Sequence, residues 1–396
     1  MILQEACELI VDCPHSTAKD EGEGYPLIRT PNIGKGRLLL ERVHRVSKEI
    51  YEKRNKRATP RENDIIFARE APAGNAALVM AGQAVCLGQR TVLIRPNSTL
   101  VYPKYLLYYL LAPQQQYKLL GGANGATVAH VNLPIIRKME VMFPDMEAQI
   151  KIADTISAYD DLIENNQKQI KLLEEAAQRL YKEWFVDLRF PGHENVKIVN
   201  GVPEGWRKQK VLEFGEIITG KTPSTAKEQY YGGNIPFVKI PDMHNCVYPI
   251  TTETTLTTEG ADIQKNKFIP KNAIMVSCIA TVGLVNIAIE SCQTNQQINS
   301  IILNDEQDLY YVFSTMKRLK TLLEGVGSNG ATMTNVNKTK FGNLEVLYPD
   351  FELRKKYFEY CKSLFEKIFT LSISIKKSAQ ARDRLLPKLM NGELEV

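Results

Sequence analysis

The chain contains the same sequence pattern twice, and this internal repeat constrains its fold more than any other feature. Residues 124–132 read NGATVAHVN and residues 329–337 read NGATMTNVN, with six of the nine positions identical. Residues 140–145 (EVMFPD) then recur as residues 345–350 (EVLYPD). Weaker sequence similarities precede these repeated segments in both halves of the chain, in the same order. A repeat of this length predicts two copies of one structural unit, each about half of the chain.

Within each copy of the repeat, the residue pattern changes at the proline–aspartate pair. Before that pair, short β-branched and aromatic runs alternate with Gly, Pro and Asn, which is typical of strands and turns. One helical pattern interrupts each region, at residues 103–111 and 309–323. We therefore predict an α+β fold with two tandem, irregular α+β domains. The predicted boundaries are 1–146 for the first domain, 147–186 for a first helix, 187–205 for a linker, 206–351 for the second domain and 352–391 for a second helix.

After each proline–aspartate pair, glycine disappears and a heptad pattern begins. Apolar residues alternate at spacings of four and three, and the resulting period of about 3.5 is typical of a coiled-coil seam. Asn166 lies within the first seam and would favour one register. The second seam is interrupted at Ser378 and Arg382, where we expect the pairing to loosen or another helix to cover it. The seam residues are Ile152, Ile156, Tyr159, Ile163, Asn166, Ile170, Leu173, Leu180 and Trp184 in the first helix, and Tyr357, Leu364, Ile368, Leu371, Ile375, Leu385 and Leu389 in the second.

The order domain, helix, domain, helix limits how the helices can pair. If they were parallel, the linker would have to return along a helix of about 55 Å, which is close to its extended reach of about 65 Å. We therefore predict an antiparallel coiled coil with one domain at each end and pseudo-two-fold symmetry. The alternative is two separate amphipathic helices, each packed on its own domain. Two similar heads at a fixed separation suit a ligand with two distant sites, such as duplex DNA.

Composition excludes several classes of protein. The 396 residues are 44% hydrophobic and 24% charged, which is typical of globular chains and excludes disorder and collagen-like repeats. No apolar run approaches the ~20 residues of a membrane helix, and residues 1–14 lack the basic start of a secretory signal. Seven cysteines without C-x-x-C spacing favour reduced thiols and a cytoplasmic location. The net charge of +5 is compatible with nucleic-acid binding.

One segment matches a nucleotide-binding motif in form. Residues 215–222 (GEIITGKT) fit the pattern G-x-x-x-x-G-K-[ST]. A phosphate-binding loop needs flexible residues followed by a helix, whereas Glu-Ile-Ile-Thr is typical of a strand and carries an acid. The five histidines show neither zinc nor HExxH spacing. We therefore expect no catalysis, cofactor or metal. A P-loop ATPase and a coiled-coil adaptor that does not bind DNA are the alternatives.

Taken together, these features resemble the specificity subunit of Type I restriction–modification systems over essentially the full length of the chain. The resemblance rests on the doubled layout and on residues 180–187 (LYKEWFVD), 190–192 (FPG), 202–206 (VPEGW) and 385–393 (LLPKLMNGE). The chain departs from this pattern at its start, because the first domain has no counterpart of the segment Pro-Glu-Gly-Trp that opens the second. This departure leaves two alternatives, a trimmed first domain or a missing N-terminal stretch.

The resemblance implies two target-recognition domains, each reading one half of an interrupted, asymmetric site in double-stranded DNA. It also implies that the helices form a spacer and dock two modification subunits, which methylate adenine, while restriction subunits join the larger complex. The chain itself has no Asn/Asp-Pro-Pro-Tyr/Phe motif for holding a flipped adenine. We therefore predict a non-catalytic DNA-recognition subunit.

The candidate DNA contacts are basic and polar residues of the two domains, because Lys and Arg bind phosphates, and Arg, Lys, Asn, Gln and Thr read base edges. Residues 29–61 are unusually basic and either contact the DNA backbone or form a solvated loop. The repeated Asn-Gly-Ala-Thr is either a shared turn or a shared DNA-facing loop. The candidates are Arg29, Lys35, Arg37, Arg69, Gln89, Arg90, Asn124 and Thr127 in the first domain, and Lys221, Thr222, Ser224, Lys239, Gln297, Asn329 and Thr332 in the second.

Overall fold

The structure is a computed structural model that describes residues 1–121, 130–320, 322–323 and 335–395. Contacts divide the chain into two units, of which the first contains Met1–Leu162 and Ser378–Val396 and the second contains Ile163–Lys377. Each unit therefore combines one mixed domain with part of both long helices. Within the described ranges, no helix has the length and apolar character that a membrane span requires.

The first unit contains two sheets. Its strands are β1 (Cys7–Asp12), β2 (Tyr25–Ile28), β3 (Gly36–Arg37), β4 (Arg45–Val46), β5 (Ile65–Ala68), β6 (Ala76–Leu78), β7 (Cys86–Leu87) and β8 (Thr91–Pro96), and its helices are α1 (Lys48–Arg54), α2 (Pro103–Leu111), α3 (Pro113–Gly121), α4 (Leu133–Lys138) and the start of the first long helix, α5 (Met146–Phe185). One sheet has the order β1-β8-β5-β6-β3 and the other has the order β4-β2-β7. In the second sheet β2 and β7 run parallel.

The second unit repeats this topology. Its strands are β9 (Ile198–Val199), β10 (Val202–Pro203), β11 (Arg207–Lys210), β12 (Gly215–Thr219), β13 (Tyr231–Val238), β14 (Thr254–Leu256), β15 (Ile274–Ser277), β16 (Val285–Ile287), β17 (Gln293–Thr294), β18 (Ile298–Leu303) and β19 (Glu345–Tyr348), and its helices are α6 (Thr258–Asp262), α7 (Leu309–Arg318), α8 (Lys338–Gly342) and most of the second long helix, α9 (Phe351–Met390). The sheet order β12-β18-β15-β16 matches the first four strands of β1-β8-β5-β6-β3, with no strand among the described residues in the place of β3, and β14-β13-β17 matches β4-β2-β7. Strands β13 and β17 are again parallel. The predicted duplication of an α+β domain is confirmed.

Apolar strands form the centre of each unit. Strands β5 and β15 each lie between two neighbours, and all of their residues are buried, as expected for strands covered on both faces. The first long helix contributes Ile152 and Ile156 to the core around Phe67. In the second unit, the rings of Trp184 and Tyr357, one from each long helix, are 5.9 Å apart. Burying one such side chain stabilises the fold by about 1.5–3 kcal/mol.

The two long helices run antiparallel. In the second unit, Asn166 Nδ2 donates to Ser374 Oγ at 3.0 Å, and the hydroxyl of Tyr357 donates to the carbonyl of Ala177 at 3.4 Å. Residue numbers therefore rise along one helix as they fall along the other. The predicted antiparallel coiled coil is confirmed, and the alternative of two separate helices is wrong. Pseudo-two-fold symmetry between the two domains stays a prediction.

A polar contact fills the interruption in the second seam. Within the first unit, Ser378 is buried, and Arg382 Nη1 donates to Asp160 Oδ1 at 2.6 Å. The hydroxyl of Tyr108, in α2, donates to the other oxygen of Asp160 at 2.7 Å. The helices therefore stay paired at Arg382, where we expected loosening or cover by another helix, and α2 takes part in this contact. Each seam residue named above is buried or half-buried.

The segment between the two repeats is folded onto the second unit. Phe190 is buried, and its ring lies 5.3 Å from that of Trp206. Strands β9 and β10 pair as a small hairpin. Asn200, at its turn, has a φ of 52°, which suits the Asn-Gly sequence of a tight hairpin turn. This stretch is thus part of a packed structure rather than an extended tether.

Candidate nucleic-acid interface

In the first unit, the parallel strands β2 and β7 end side by side and bring candidate residues together. The N–H of Gly88, directly after β7, donates to the carbonyl of Ile28 at 2.7 Å. Arg29 follows Ile28, and its side chain crosses Gly88, since a Cβ added there would lie 2.9 Å from Arg29 Cγ. Gln89 and Arg90 form the next turn, half-buried and exposed, respectively. We call Arg29, Gly88, Gln89 and Arg90 the first strand-end cluster.

The two arginines of this cluster differ in their hydrogen-bond and ion-pair partners. Arg90 has a φ of 63° and lies with Nε 2.8 Å from Oε2 of Glu70, while its side chain is 63% exposed. Within the described part of the chain, the buried Nε of Arg29 has no hydrogen-bond partner. An unpaired buried N–H is costly, so Arg29 is held less favourably than Arg90.

In the second unit, β13 and β17 end in the same way. The N–H of Asn295 donates to the carbonyl of Val238 at 3.2 Å, and Lys239 follows Val238. The N–H of Lys221 donates to the carbonyl of Thr294 at 3.0 Å. The loop after β12 therefore lies against the end of β17, and the residue that follows β17 is bonded to the end of β13.

Side-chain amides connect the members of this group. Thr222 Oγ1 donates to Gln296 Oε1 at 2.6 Å, and Asn295 Nδ2 donates to Gln297 Oε1 at 2.9 Å. Lys239 Nζ lies 3.8 Å from a carboxylate oxygen of Glu253. We define the second strand-end cluster as Lys221, Thr222, Lys239, Asn295, Gln296 and Gln297.

Sequence reasoning missed Asn295 and Gln296. The available signal was the run of polar residues at 294–297 (TNQQ) that directly follows Gln293 within a buried strand. Amide side chains present a donor and an acceptor together, so they can form bidentate contacts with adenine.

The segment that resembles a P-loop is part of this cluster. Its interior forms β12, and the N–H of Gly220 donates to the carbonyl of Ile298 at 3.1 Å. The N–H of Lys221 also donates to a carbonyl. Both N–H groups therefore already have a main-chain acceptor and do not face a phosphate. Residues 220–227 are loop and turn, followed by a 3₁₀ turn, Glu228–Tyr230, rather than an α-helix. The geometry does not suit nucleotide phosphates.

Arg69, a candidate DNA contact, is engaged in a network inside the first unit. Its Nη1 lies 3.0 and 2.9 Å from the two carboxylate oxygens of Asp12, and its Nε donates to the carbonyl of Val131 at 2.9 Å. Its Nη2 contacts His130 Nε2 at 2.9 Å, and His130 Nδ1 contacts Glu70 at 2.6 Å. Since a guanidinium only donates, Nε2 accepts and Nδ1 carries the proton. Arg69 therefore supports the domain from within.

In the second unit, neutral side chains hold the backbone segment that corresponds to the one bonded by Arg69. The N–H of Val336 donates to the carbonyl of Cys278, as the N–H of Val131 donates to that of Arg69. Here Asn299 Nδ2 donates to the carbonyl of Val336 at 3.3 Å, and Thr219 Oγ1 donates to Asn299 Oδ1 at 2.7 Å. The same backbone is thus held by an ion pair in one unit and by amide and hydroxyl groups in the other.

Most arginines of the basic segment hold the domain together. Arg45 donates to the carbonyl of Gly24 at 2.7 Å, Arg57 donates to that of Asp12 at 3.2 Å, and Arg61 pairs with Glu8 at 2.7 Å. These contacts tie the segment to the domain, so it is not a freely solvated loop, and its contact with the DNA backbone stays a prediction. The lysines of this segment that remain exposed are Lys35, Lys48, Lys53 and Lys56.

The other candidate DNA contacts are dispersed. Arg37 pairs with Asp161 on the first long helix, whereas Ser224 is exposed. Of the fifteen candidates, four lie outside the described residues, namely Asn124, Thr127, Asn329 and Thr332.

The fold and the clusters define a duplicated protein in which each unit has a polar cluster of different chemistry and contains part of both long helices. The chain belongs to the Type I restriction modification DNA specificity domain family, whose model matches residues 9–175 and again residues 203–378. The family predicted from the sequence is confirmed. Within this family the chain is a non-catalytic specificity component of a restriction–modification enzyme.

Individual relatives agree with this assignment. The chain is 31% identical over 400 residues to the Type I restriction enzyme HindI specificity subunit of Haemophilus influenzae, covering 84% of this chain and 87% of that protein. It is 25% identical over 367 residues to the MjaIX specificity subunit of Methanocaldococcus jannaschii, covering 89% and 83%. A solved Type-I restriction-modification S subunit from M. genitalium shares its fold, with a TM-score of 0.61 at 15% identity over 98% of this chain and 95% of that chain.

Proposed function

We propose that this chain recognises duplex DNA within a Type I restriction–modification complex, and that each domain reads one half of a split, asymmetric site. The observation that carries the proposal is the strand-end cluster, which recurs at the same place in both units with different side chains. Guanidinium groups dominate the first cluster and amides dominate the second. Because Arg pairs best with guanine and Asn or Gln with adenine, the two clusters suit different bases.

The remaining parts of the chain follow from this proposal. Residues 1–146 and 206–351 act as the target-recognition domains, and residues 187–205 connect the repeats. The helical segments 147–186 and 352–391 act as a spacer that docks two modification (methyltransferase) subunits, and restriction subunits join them. Family membership and the pairing of two 40-residue helices support this arrangement. The chain supplies recognition, and its partners supply adenine methylation and cleavage.

Mapping methylated adenines in a host that carries this subunit with its partners tests the proposal. We expect one asymmetric site in which two specified blocks are separated by unspecified base pairs. A contiguous site would contradict the split-site model. Arg29→Met and Lys239→Met are expected to change base preference in different blocks, whereas Lys48→Met, on an exposed helix face, keeps both preferences because phosphate contacts carry no sequence information.

Two alternatives predict different results. A P-loop ATPase would bind nucleotide in a titration of the pure protein and lose this binding in Lys221→Ala. A coiled-coil adaptor would show no salt-dependent retention on any duplex. The carbonyl-bonded N–H groups of Gly220 and Lys221 argue against the first alternative.

A further inference from the structure

A buried arginine connects two backbone segments that flank the first strand-end cluster. Arg54 ends α1, and its side chain is buried, with the residue 5% exposed. Its Nε donates to the carbonyl of Leu87 at 2.6 Å, its Nη1 to that of Ser16 at 3.0 Å and its Nη2 to that of Pro14 at 3.4 Å. One guanidinium thus ties the end of β7 to the loop after β1.

The acceptors show what this arginine contributes. All three are main-chain carbonyls, so these bonds fix backbone segments rather than neutralise an acid. Burial lowers the pKa of Arg54, which reflects the cost of placing a cation away from water. Apolar packing would fill this position without that cost. The three donated hydrogen bonds are therefore the feature that distinguishes arginine here.

The second unit contains an equivalent made from amides. Gln264 follows α6 and is 3% exposed. Its Nε2 donates to the carbonyl of Lys221 at 2.7 Å and lies 2.8 Å from Gln293 Oε1, in β17. Gln293 Nε2 in turn donates to the carbonyl of Ala261 at 2.9 Å. The loop after β12 is thus tied to the parallel strand that ends at the second cluster.

The topology makes the two side chains equivalent. The N–H of Cys13 donates to the carbonyl of Thr91, as the N–H of Gly220 donates to that of Ile298, so Pro14 and Lys221 occupy matching positions. Along the chain, α1 lies between β4 and β5, and α6 lies between the corresponding strands β14 and β15. Each unit therefore holds the same loop with a different buried polar side chain.

We propose that Arg54 and Gln264 are positioning residues for base selectivity, each acting within its own domain by fixing the backbone that carries the strand-end cluster. This inference rests on the proposed function. Base readout requires side chains to be held within about 0.5 Å of the productive geometry, which a buried three-point or amide connection provides. Neither residue contacts DNA in this scheme.

The test uses the whole methylating complex and a pool of duplexes with randomised bases in both blocks. Arg54→Met keeps the length of the side chain but removes its donors, and Lys53→Met removes the same charge from the exposed face of the same helix. For Arg54→Met we expect preference within one block to fall about tenfold, as for the loss of one base contact, with the other block unchanged. Lys53→Met keeps both preferences, whatever its effect on overall rate.

Gln264→Met is the reciprocal variant. We expect it to relax the block that Arg54→Met leaves intact. Thermal unfolding of each variant is measured alongside, and if Arg54→Met does not fold, Arg54→Lys and Gln264→Met decide the question. Unchanged base preference in the folded variants, or equal relaxation of both blocks, overturns the inference. A wild-type complex without a split site instead refutes the proposed function, so the two failures are distinguishable.

Discussion

At the scale of single residues, the strand-end clusters depend on glycines that let backbone segments approach each other. A Cβ added to Gly220 would lie 2.2 Å from the carbonyl oxygen of Asn295 and 2.3 Å from that of Thr294. At Gly88 it would lie 2.7 Å from the carbonyl oxygen of Ile28. Neither contact involves a flexible side-chain end, so the backbone itself would have to move.

We expect Gly220→Ala to lower the free energy of unfolding by about 1–3 kcal/mol, the usual cost of overpacking. Urea denaturation measures this change. Gly121→Ala is the matched control, because its Cβ would meet nothing within 4 Å. Equal stability of Gly220→Ala and Gly121→Ala would show that the backbone approach at Gly220 is not as tight as described.

The cysteines provide a prediction about pH. Burial raises the pKa of the Cys292 and Cys361 thiols to about 12 and that of Cys246 to about 11. The other four thiols are shifted in the same direction by burial. We expect all seven to stay protonated near pH 8 and to react slowly with an alkylating reagent, since the thiolate is the nucleophile. Mass spectrometry of native and urea-unfolded protein measures this, and fast native labelling would contradict it.

At the scale of elements, the contact between the long helices includes a charged layer. Asp160 accepts hydrogen bonds from both Arg382 and Tyr108 in the first unit. Burial raises the pKa of the Tyr108 hydroxyl, so this group stays protonated and remains a donor. The side chains of Asp160 and Arg382 are 12% and 23% exposed, so water screens their interaction weakly. This pair therefore differs from the ion pairs on the outer faces of the helices.

A double-mutant cycle with Asp160→Ala and Arg382→Ala is expected to give a coupling energy of about 1.5–3 kcal/mol, typical of a hydrogen bond to a charged group. The control cycle removes Glu147 and Lys151, one turn apart and 80% and 53% exposed, where about 0.2–0.5 kcal/mol is expected. Chemical denaturation of the full chain measures both. Equal coupling energies in the two cycles would contradict this prediction, because the Asp160–Arg382 pair would then contribute no more than an exposed surface pair.

At the scale of the whole molecule, two copies of one topology carry different chemistry. The Asp12–Arg69 ion pair of the first unit has its counterpart in neutral Thr219 and Asn299. Similarly, buried Arg54, which donates hydrogen bonds to main-chain carbonyls, has its counterpart in Gln264. The fold is therefore duplicated, while polar side chains diverge around the clusters. This is the expected result if the two domains select different bases.

The whole molecule should bind duplex DNA with strong salt dependence, because phosphate contacts release counterions. We expect the logarithm of the association constant to fall linearly with that of the salt concentration, with a slope of about 0.9 per phosphate contact. Fluorescence anisotropy of the assembled complex on its target measures this slope. Affinity that does not change with salt would support the adaptor alternative.

The sequence determined the features that depend on neighbours along the chain. The heptad spacing from Ile152 to Trp184, the repeated segments and the family could all be derived from it, because helical periodicity and duplication are encoded locally. Even the strand character of residues 215–219 was visible, which argued correctly against a P-loop.

Only the tertiary structure decided which polar residues are available to a ligand. Arg61 pairs with Glu8 and Arg69 with Asp12, far away in sequence, whereas the polar run that contains Gln296 does not by itself show which cluster it joins. A charged side chain looks the same in a sequence whether it faces solvent or a distant acceptor. Its role depends on which strands end side by side, and long-range strand pairing sets that arrangement.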